Sequence, residues 1–340
     1  MCYRFLFSLL LLELCSPAWS QDVRTQNAPK NGCEGCATVK PTTKVPAGVI
    51  LVKSASSSAS DSVTPVPETG ELTDHTFANP YFGLAYRLPP DWTKNYDGPP
   101  PSDSGRYVLL QLSPADTFKG SVRGSILITA QDMFFTPLPA ANALELIKYS
   151  EKHLQADYKV EVAPREIKIA GRSFAVFEYW SPVAGLHWYD LAIQIRCHTL
   201  EVVLASRDQK LLESLILDMD KMRLPAEASP TGTTGGGNVP VCIKDYVNDG
   251  NVIARVDPIF TEHRFNPVPV RIIIDTEGRV KHVHFLSAFP DQAKAVTDAL
   301  GRWRFKPYLR DARPVEVETG VMFGRAPYPK TSPAENSTTE

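Results

Sequence analysis

Two stretches of low sequence complexity, rich in small and polar residues and Pro, divide this 340-residue chain and restrict any folded core to the segments that follow them. The first is rich in Ser, Thr, Pro and Val and contains the low-complexity run Ser54–Ser60, which predicts a disordered tail. The second ends in Gly235-Gly236-Gly237 and is predicted to be a linker, because no Lys and Ser or Thr follow as a phosphate-binding loop requires. Two segments remain that are long enough to bury a core. The predicted division is a signal (1–20), a disordered tail (21–76), a first domain (77–225), a linker (226–238), a second domain (239–326) and a disordered tail (327–340).

The first twenty residues have the features of a secretory signal. Arg4 supplies a positive charge, Phe5–Leu12 is apolar except for one Ser, and Ala18-Trp19-Ser20 offers small residues at the cleavage positions before Gln21. The alternative is an uncleaved anchor, but a helix over Phe5–Trp19 reaches roughly 22 Å at 1.5 Å per residue. A bilayer core needs about 30 Å. We therefore predict export to the periplasm or cell envelope, with an inner-membrane anchor as the alternative and the N-terminus as the sole membrane contact in that case.

Charge and cysteine content limit the partners and the sites. The formal net charge of −2 gives no basic face for nucleic acid, so no nucleic-acid partner is expected. Export permits disulfides, and Cys33 and Cys36 form a candidate short-loop disulfide, with two free thiols as the alternative. A second ligand pair for zinc does not follow at usable spacing, so no metal is predicted. A bridge from Cys197 to Cys242 would join the two domains and is the less favoured pairing.

In residues 77–225, apolar and polar residues alternate as in β-strands. Two groups of these strands are predicted, and each is followed by a segment with the apolar spacing of a helix. The first helix is predicted to begin near Pro139 and the second to bury Leu212, Leu215 and Met219. Gly171-Arg172 suits a hairpin turn. This order favours an α+β domain with an antiparallel sheet, an α/β sandwich. Strands are predicted at residues 81–88, 107–112, 125–130, 166–169, 173–180, 188–196 and 200–204.

The second domain is predicted to have the plan β-β-α-β. A β-branched strand at 270–274 is followed by the turn Asp275–Gly278, where Gly278 is free to take a positive φ, and by a return strand at 279–286. Pro290 begins a helix, and the final strand covers 314–323. The buried stripe of the helix is Ala293, Val296, Leu300 and Trp303.

These motifs resemble the TonB C-terminal domain family over residues 239–326. That family shows Asp-x-x-Gly-x-Val, then Leu-Ser-x-x-Pro, then a helix closing on Arg-Trp-x-[Phe/Tyr]-x-Pro, then a Pro-Val strand. The matching segments here are 275–280, 286–290, 302–307 and 314–317. The motif residues with structural roles are Asp275, Gly278, Pro290, Trp303 and Pro307.

The sequence departs from the TonB family pattern at some positions. The first domain resembles a different family. Thr261 stands where the family usually has the second Pro of Pro-x-[Tyr/Phe]-Pro, and the long Pro-Glu and Pro-Lys spacer of TonB is missing. The opening Tyr81–Leu84 through Trp92 is similar to the start of PsbP/Mog1-like domains. That weaker resemblance implies a sandwich fold without a definite activity.

The chain offers few residues for chemistry, and no catalytic residue or cofactor is predicted. His282 and His284 share one face of a strand, and we expect that face to be exposed, because Val283 and Phe285 take the buried side. Five cations cluster near the end of the last helix, where they are expected to complement its dipole, with an acidic partner or lipid headgroups as the alternative. The five are Arg302, Arg304, Lys306, Arg310 and Arg313.

From the TonB resemblance we expect a non-enzymatic envelope protein that binds protein partners, with outer-membrane receptors as the implied ones. Such domains receive a receptor segment by β-strand addition, which associates the chain with transport across the outer membrane. The expected edge strand consists of Val315, Glu316, Val317, Glu318, Thr319, Gly320 and Val321. The alternatives are a structural or assembly protein of the envelope without a transport role and, third, an enzyme that uses the first domain.

Overall fold

The structure is a computed structural model. It describes residues 49–52, 55–58, 65–96, 104–115, 124–138, 140–225, 239–261 and 266–324. The predicted signal, the predicted linker, the C-terminal tail and the Cys33–Cys36 pair lie outside the described residues. The described residues form one compact unit. It is an α+β fold in which antiparallel sheets predominate.

The first major element is a seven-stranded antiparallel sheet, called the large sheet below. The strands that periodicity predicted are present, and most extend further than predicted because the pairing continues into the turns. The bounds are β6 (Trp92–Tyr96), β7 (Arg106–Pro114), β8 (Gly124–Asp132), β9 (Lys159–Ile169), β10 (Arg172–Ser181), β11 (Leu186–Ile195) and β12 (His198–Ser206). Across the sheet the order is β6-β7-β8-β12-β11-β10-β9.

Two helices pack on the large sheet. Helix α1 (Ala143–Lys152) begins after Asn142, whose side chain accepts a hydrogen bond from the backbone N–H of Glu145. It contacts strands β9 to β11. Helix α2 (Gln209–Met219) is capped in the same way by Asp208. It contributes Leu212, Leu215 and Met219 to the main core, as its periodicity predicted.

The segment before the large sheet differs from the sequence expectation. The disordered tail was expected through Thr76, but residues 65–76 are described, and Val66 is only 2% exposed. Asn79 explains part of this order, since its side-chain amide donates to the Pro67 carbonyl at 2.8 Å. The strand expected at 81–88 is also shorter, because residues 81–83 form a turn with Gly83 at φ 60°. The strands here are β1 (Val49–Val52) paired with β2 (Ala55–Ser58), and the three-stranded sheet of β3 (Glu71–Thr73), β4 (Thr76–Asn79) and β5 (Leu84–Arg87).

The second major element is a four-stranded sheet, called the small sheet below. Its strands are β13 (Val241–Cys242), β15 (Val268–Ile274), β16 (Val280–Phe285) and β20 (Val317–Phe323), in the order β13-β20-β15-β16. Helix α3 (Pro290–Leu300) covers one face, and Trp303 is fully buried beneath it, so the β-β-α-β plan is present. Two short ladders flank the sheet, β14 (Val252–Ala254) with β17 (Arg304–Phe305), and β18 (Tyr308–Arg310) with β19 (Arg313–Val315).

The residues of the TonB-like motif have identifiable structural roles. Asp275 closes the β15–β16 turn, because its Oδ1 accepts from the backbone N–H groups of Glu277 at 2.9 Å and Arg279 at 2.8 Å. Gly278 has φ 79°, as the turn predicted. Pro290 opens helix α3. The indole of Trp303 donates to the Val256 carbonyl at 2.7 Å. Pro307 connects β17 to β18.

Candidate functional site

The position of β20 in the small sheet differs from the expectation. We expected this strand to form a sheet edge, but it lies between β15 and the two-residue strand β13. Val241 donates its backbone N–H to the Glu316 carbonyl at 2.7 Å, and Ile243 donates to the Glu318 carbonyl at 3.1 Å. The sequence did not predict β13, because a two-residue strand has no periodicity. The edge beside Val317 and Glu318 is therefore occupied by the chain itself.

The predicted binding residues divide between two environments. Val317 and Val321 belong to the core beneath helix α3. Glu318 and Gly320 point to the opposite face, where a Cβ on Gly320 would collide with Phe134. Thr319 is fully buried, and its hydroxyl lies 3.4 Å from the Lys244 carbonyl. The two remaining residues are Val315, at the end of β19, and Glu316, which pairs with Lys281 at 2.9 Å.

A disulfide joins this edge to the large sheet. Cys242 in β13 is bonded to Cys197, which lies in the turn between β11 and β12, with 5.4 Å between their Cα atoms. This is the pairing that the sequence favoured less. The reason is tertiary: the β11–β12 turn and β13 come from different parts of the chain, and docking of the two sheets brings them together. The Cys197 carbonyl also accepts from the Met133 N–H at 2.9 Å, which holds the turn against the end of β8.

Five buried polar side chains meet next to the disulfide, and we call them the junction cluster: Tyr81, Asp132, His198, Arg271 and Glu318. Each is at most 4% exposed. Arg271 from the small sheet lies between two carboxylates, in direct contact with Glu318 and with its Nε 3.0 Å from Asp132 Oδ2. It also donates to the hydroxyl of Tyr81, which in turn donates to Glu318 Oε1 at 2.9 Å. The cluster therefore links the large sheet, the small sheet and the turn before β5.

Arg196 extends the junction cluster from the same turn that carries Cys197. Its φ of 54° is in the left-handed region, which is uncommon for a residue with a side chain. In this conformation its guanidinium lies 4.2 Å from the centroid of the Tyr81 ring and donates to the Tyr81 carbonyl at 3.2 Å. A second Arg196 nitrogen lies 3.5 Å from Glu318 Oε2. Three consecutive residues, 196 to 198, thus contact the junction.

Burial controls the protonation of the junction cluster. It raises the pKa of Asp132 to about 6, although Arg271 acts in the opposite direction. Burial, followed by the charges of Arg271 and Arg196, holds the pKa of His198 well below its usual value. His198 is therefore neutral, and its 3.6 Å approach to Asp132 is not an ion pair. Burial likewise raises the pKa of Tyr81, which remains a hydrogen-bond donor.

The histidine face of β16 also differs from the expectation. His282 is 4% exposed and His284 is 2% exposed, whereas the strand pattern predicted a solvated face. His284 Nε2 lies 3.1 Å from Glu68 Oε1. The ordered segment Pro65–Pro67 lines a cavity beside these residues with room for about one water molecule. Strand periodicity identified the apolar face of β16. It does not show which residues cover the opposite face, which carries His282 and His284.

A second group of buried polar side chains lies within the large sheet. Glu201 Oε2 accepts from Arg106 and from the Thr129 hydroxyl, both at 3.0 Å. Burial, then the nearby Glu201, raises the pKa of Asp190 well above its usual value.

The cluster of five cations lies at the end of helix α3, away from both groups of buried polar side chains. In this cluster, Arg302 donates to the Asp298 carbonyl at 3.1 Å and Arg304 to the Gly301 carbonyl at 3.0 Å. These bonds agree with the interpretation of cations at the end of helix α3.

Sequence reasoning missed most of the junction cluster. The available signal was a charged residue within an apolar run: Arg271 interrupts the β-branched strand 270–274, and Glu318 lies within the last strand. Such a residue is rarely buried without a partner. Within the part of the chain that the structure describes, no cluster of three or more His, Cys, Asp and Glu is placed to hold a metal ion. The described ranges also contain no helix with the length and apolar character needed to cross a bilayer.

Comparison with known proteins gives limited similarity. No family model matches the chain, and no curated protein matches it. Among solved structures, the chain is similar to cyanobacterial PsbP (CyanoP) from Synechocystis sp. PCC 6803, determined in solution. The alignment covers 46% of this chain and 95% of that chain, with 13% identity and a TM-score of 0.33. This weak likeness is to a PsbP protein, as in the weaker sequence resemblance. The TonB resemblance gains no support from it and stays a prediction.

Proposed function

We propose that this chain is an exported, non-enzymatic binding protein of the cell envelope. Its small sheet takes up an extended segment of a partner protein by β-strand addition along residues 315–321. Outer-membrane receptors are the proposed partners, on the basis of the TonB-like motifs, and the proposed role is association with transport across that membrane. The export signal predicted in residues 1–20 supports the location.

The pairing of β13 with β20 is the observation that supports this proposal most. A segment from elsewhere in the chain already lies along β20 and donates backbone hydrogen bonds to the carbonyls of Glu316 and Glu318. The geometry of β20 is therefore compatible with a strand on this side. Backbone bonds of this kind supply affinity in strand addition, and alternate side chains supply selectivity.

The junction cluster suits a structural role rather than a catalytic one. Its titratable groups are buried against one another, and the adjoining cavity holds about one water molecule. A catalytic acid or base must reach its substrate within hydrogen-bond distance. The closed arrangement of Asp132, Arg271 and Glu318 suits a structural role in holding the two sheets together.

Hydrogen exchange of the full-length protein tests the proposal, with extended peptides from the plug regions of outer-membrane receptors as probes. Binding is expected to slow exchange in residues 315–321 and to speed exchange in 241–243, as the partner segment replaces β13. Matched peptides with Pro at alternate positions lack the N–H donors and are expected to have no effect. Absence of protection in 315–321 at saturating peptide, both with the Cys197–Cys242 bond intact and after its reduction, would contradict the proposal. Protection of β16 alone would place the site at the other edge.

A structural or assembly role is the second candidate, favoured by the buried ion pairs and the disulfide that join the two sheets. A protein built for rigidity would bind other envelope components through fixed surfaces. Pull-down from envelope extracts separates the two functions. Receptors are expected to dominate if strand addition is the function, and non-receptor scaffolds if the role is structural.

A further inference from the structure

We propose that β13 is a built-in placeholder for the partner strand, and that the Cys197–Cys242 disulfide holds it in place. Reduction of this bond releases β13 and opens the edge of β20 to an extended segment. This inference rests on the proposed function, since it concerns the regulation of the same edge. It adds the condition under which binding occurs and the kind of segment that binds.

The attachment of β13 to β20 is short: two ladder hydrogen bonds, the partly buried side chain of Ile243, and the 3.4 Å bond from the Thr319 hydroxyl to the Lys244 carbonyl. The strand has two residues, whereas strands in globular proteins average about five or six. Its ladder position is held by the N–H groups of Val241 and Ile243. Upstream, Val239 is 68% exposed, and in the sequence a run of three glycines comes just before it.

Tyr246 limits the release at the downstream end. It is 4% exposed, its ring packs in the core beneath helix α3, and its hydroxyl donates to the Lys306 carbonyl. The segment between Val239 and Tyr246 thus has one anchor in the small-sheet core at Tyr246 and another in the large sheet through Cys242. Breaking the disulfide removes the second anchor and leaves the first. Residues 239–245 are then able to leave β20 without unfolding the small sheet.

The redox step is a thiol–disulfide exchange with an external dithiol reductant of the thioredoxin class. Its thiolate attacks Sγ of Cys242, which is partly exposed, whereas Cys197 is fully buried. The S–S bond breaks, Cys197 leaves as a thiolate and takes up a proton, and a mixed disulfide forms on Cys242. The second thiol of the reductant resolves it and releases the Cys242 thiol. Two electrons and two protons pass to the protein, and the reductant becomes a disulfide.

The pattern of β13 also describes the segment that would replace it. β13 runs parallel to β20, with Val241 opposite Val317. Ile243 packs on the small-sheet core from the same segment. A partner segment that copies this arrangement runs parallel to β20 and carries aliphatic side chains at alternate positions. It also has backbone N–H groups available at the positions that correspond to Val241 and Ile243.

The test uses the full-length chain with the other four cysteines, Cys2, Cys15, Cys33 and Cys36, changed to Ser, so that only the Cys197–Cys242 bond responds to reductant. The probe is a peptide with the sequence of residues 238–246 and Cys242→Ser. A copy with Pro at the positions of Val241 and Ile243 is the matched control. Binding and hydrogen exchange at 241–243 are compared in the oxidised protein, the chemically reduced protein and the Cys197→Ser/Cys242→Ser variant. If the double variant folds poorly, the chemically reduced protein, which keeps both Cys197 and Cys242, still provides the test.

Reduction is expected to speed exchange at 241–243 and to tighten binding of the probe by about tenfold or more, because a covered site reduces apparent affinity by the fraction that is open. Equal binding in oxidised and reduced protein would overturn the placeholder proposal and leave strand addition standing. Unchanged exchange at 241–243 on reduction would also overturn it. Faster exchange without any probe binding would refute strand addition at this edge, and with it the proposed function.

Discussion

At the residue scale, Arg271 shows how one cation serves two buried carboxylates. It contacts Glu318 in its own sheet and Asp132 in the large sheet, and it is 3% exposed. Removing charges from water is expensive, so a buried cation requires close partners on several sides. Tyr81 and Arg196 complete the surroundings. Charge is balanced when both carboxylates are ionised, with two cations and two anions at the junction.

Asp132 carries the first prediction at this scale. Its pKa of about 6 in the folded protein lies above the ordinary value of 3.8, so the folded state binds the proton more tightly than the unfolded state. The resulting stabilisation is complete below pH 3.8 and is lost as the pH rises through 6. The difference corresponds to a change in the free energy of unfolding on the order of 3 kcal/mol. We expect Asp132→Asn to remove this decline between about pH 4 and pH 6, as measured by urea unfolding across that range.

The control for this prediction is Asp298→Asn. Asp298 is 57% exposed in its pair with Lys294 on helix α3, so its substitution is expected to leave the pH dependence as in the wild type. Identical slopes in the Asp132→Asn variant and the wild type would show that Asp132 does not titrate in this range.

At the element scale, the β15–β16 turn was predicted from sequence and is present with its expected chemistry. Asp275 accepts from the backbone of the turn, and Gly278 takes a positive φ. The structure adds a reason that the sequence did not show. Gly278 lies against the backbone carbonyl of Phe305, and its own carbonyl accepts from the Phe305 N–H at 2.8 Å. The glycine therefore serves a close backbone approach as well as a turn.

Gly278→Ala tests the close approach. A left-handed backbone costs about 1–2 kcal/mol for a residue with a Cβ. The added Cβ would also collide with the Phe305 carbonyl, so the loss in the free energy of unfolding is expected to exceed that range. Gly185→Ala is the matched control, because Gly185 has φ 60° and a methyl group added there would meet no atom within 4 Å. Equal losses in the two variants, measured by denaturant unfolding, would rule out the collision as a source of instability.

At the scale of the whole molecule, the junction cluster and the disulfide make the two sheets one unit. The Cys197–Cys242 bridge spans a sequence separation of 45 residues, for which the chain-entropy view gives a stabilisation of about 4 kcal/mol. Arg271 provides the non-covalent counterpart, since it forms ion pairs with carboxylates of both sheets. We therefore expect the oxidised protein to unfold as a single cooperative unit, with equal calorimetric and van't Hoff enthalpies.

Arg271→Ala tests this coupling. The variant leaves Asp132 and Glu318 buried without their shared cation, which is expected to cost about 3–5 kcal/mol. Calorimetry is expected to show a lower transition temperature and a van't Hoff enthalpy below the calorimetric one, as the sheets unfold separately. Arg165→Ala removes the 41%-exposed partner of Glu178 and is expected to cost under about 1 kcal/mol. Two separate transitions in the oxidised wild type would contradict the coupling.

The local structure of this protein follows from short-range patterns in its amino-acid sequence. Alternating apolar residues predicted the strands of the large sheet except β6, helical spacing predicted α2 and α3, and Gly278 marked its turn. These features depend on residues within a few positions of one another, so periodicity and turn chemistry are sufficient to predict them. The burial of Trp303 was also predicted, but as part of the helical stripe, whereas helix α3 ends at Leu300 and Trp303 is buried just beyond it.

The surroundings of those elements depend instead on how distant segments pack together. Tyr81 bonds to Glu318 across 237 residues, and Cys197 selects Cys242 because docking of the sheets places them together. The burial of His284 and the enclosure of β20 by β13 also depend on contacts between distant segments. Local propensity cannot specify such contacts, because each is stabilised only after both sheets have formed. The two-residue strand β13, the feature on which the proposed regulation depends, exists only through its pairing with β20.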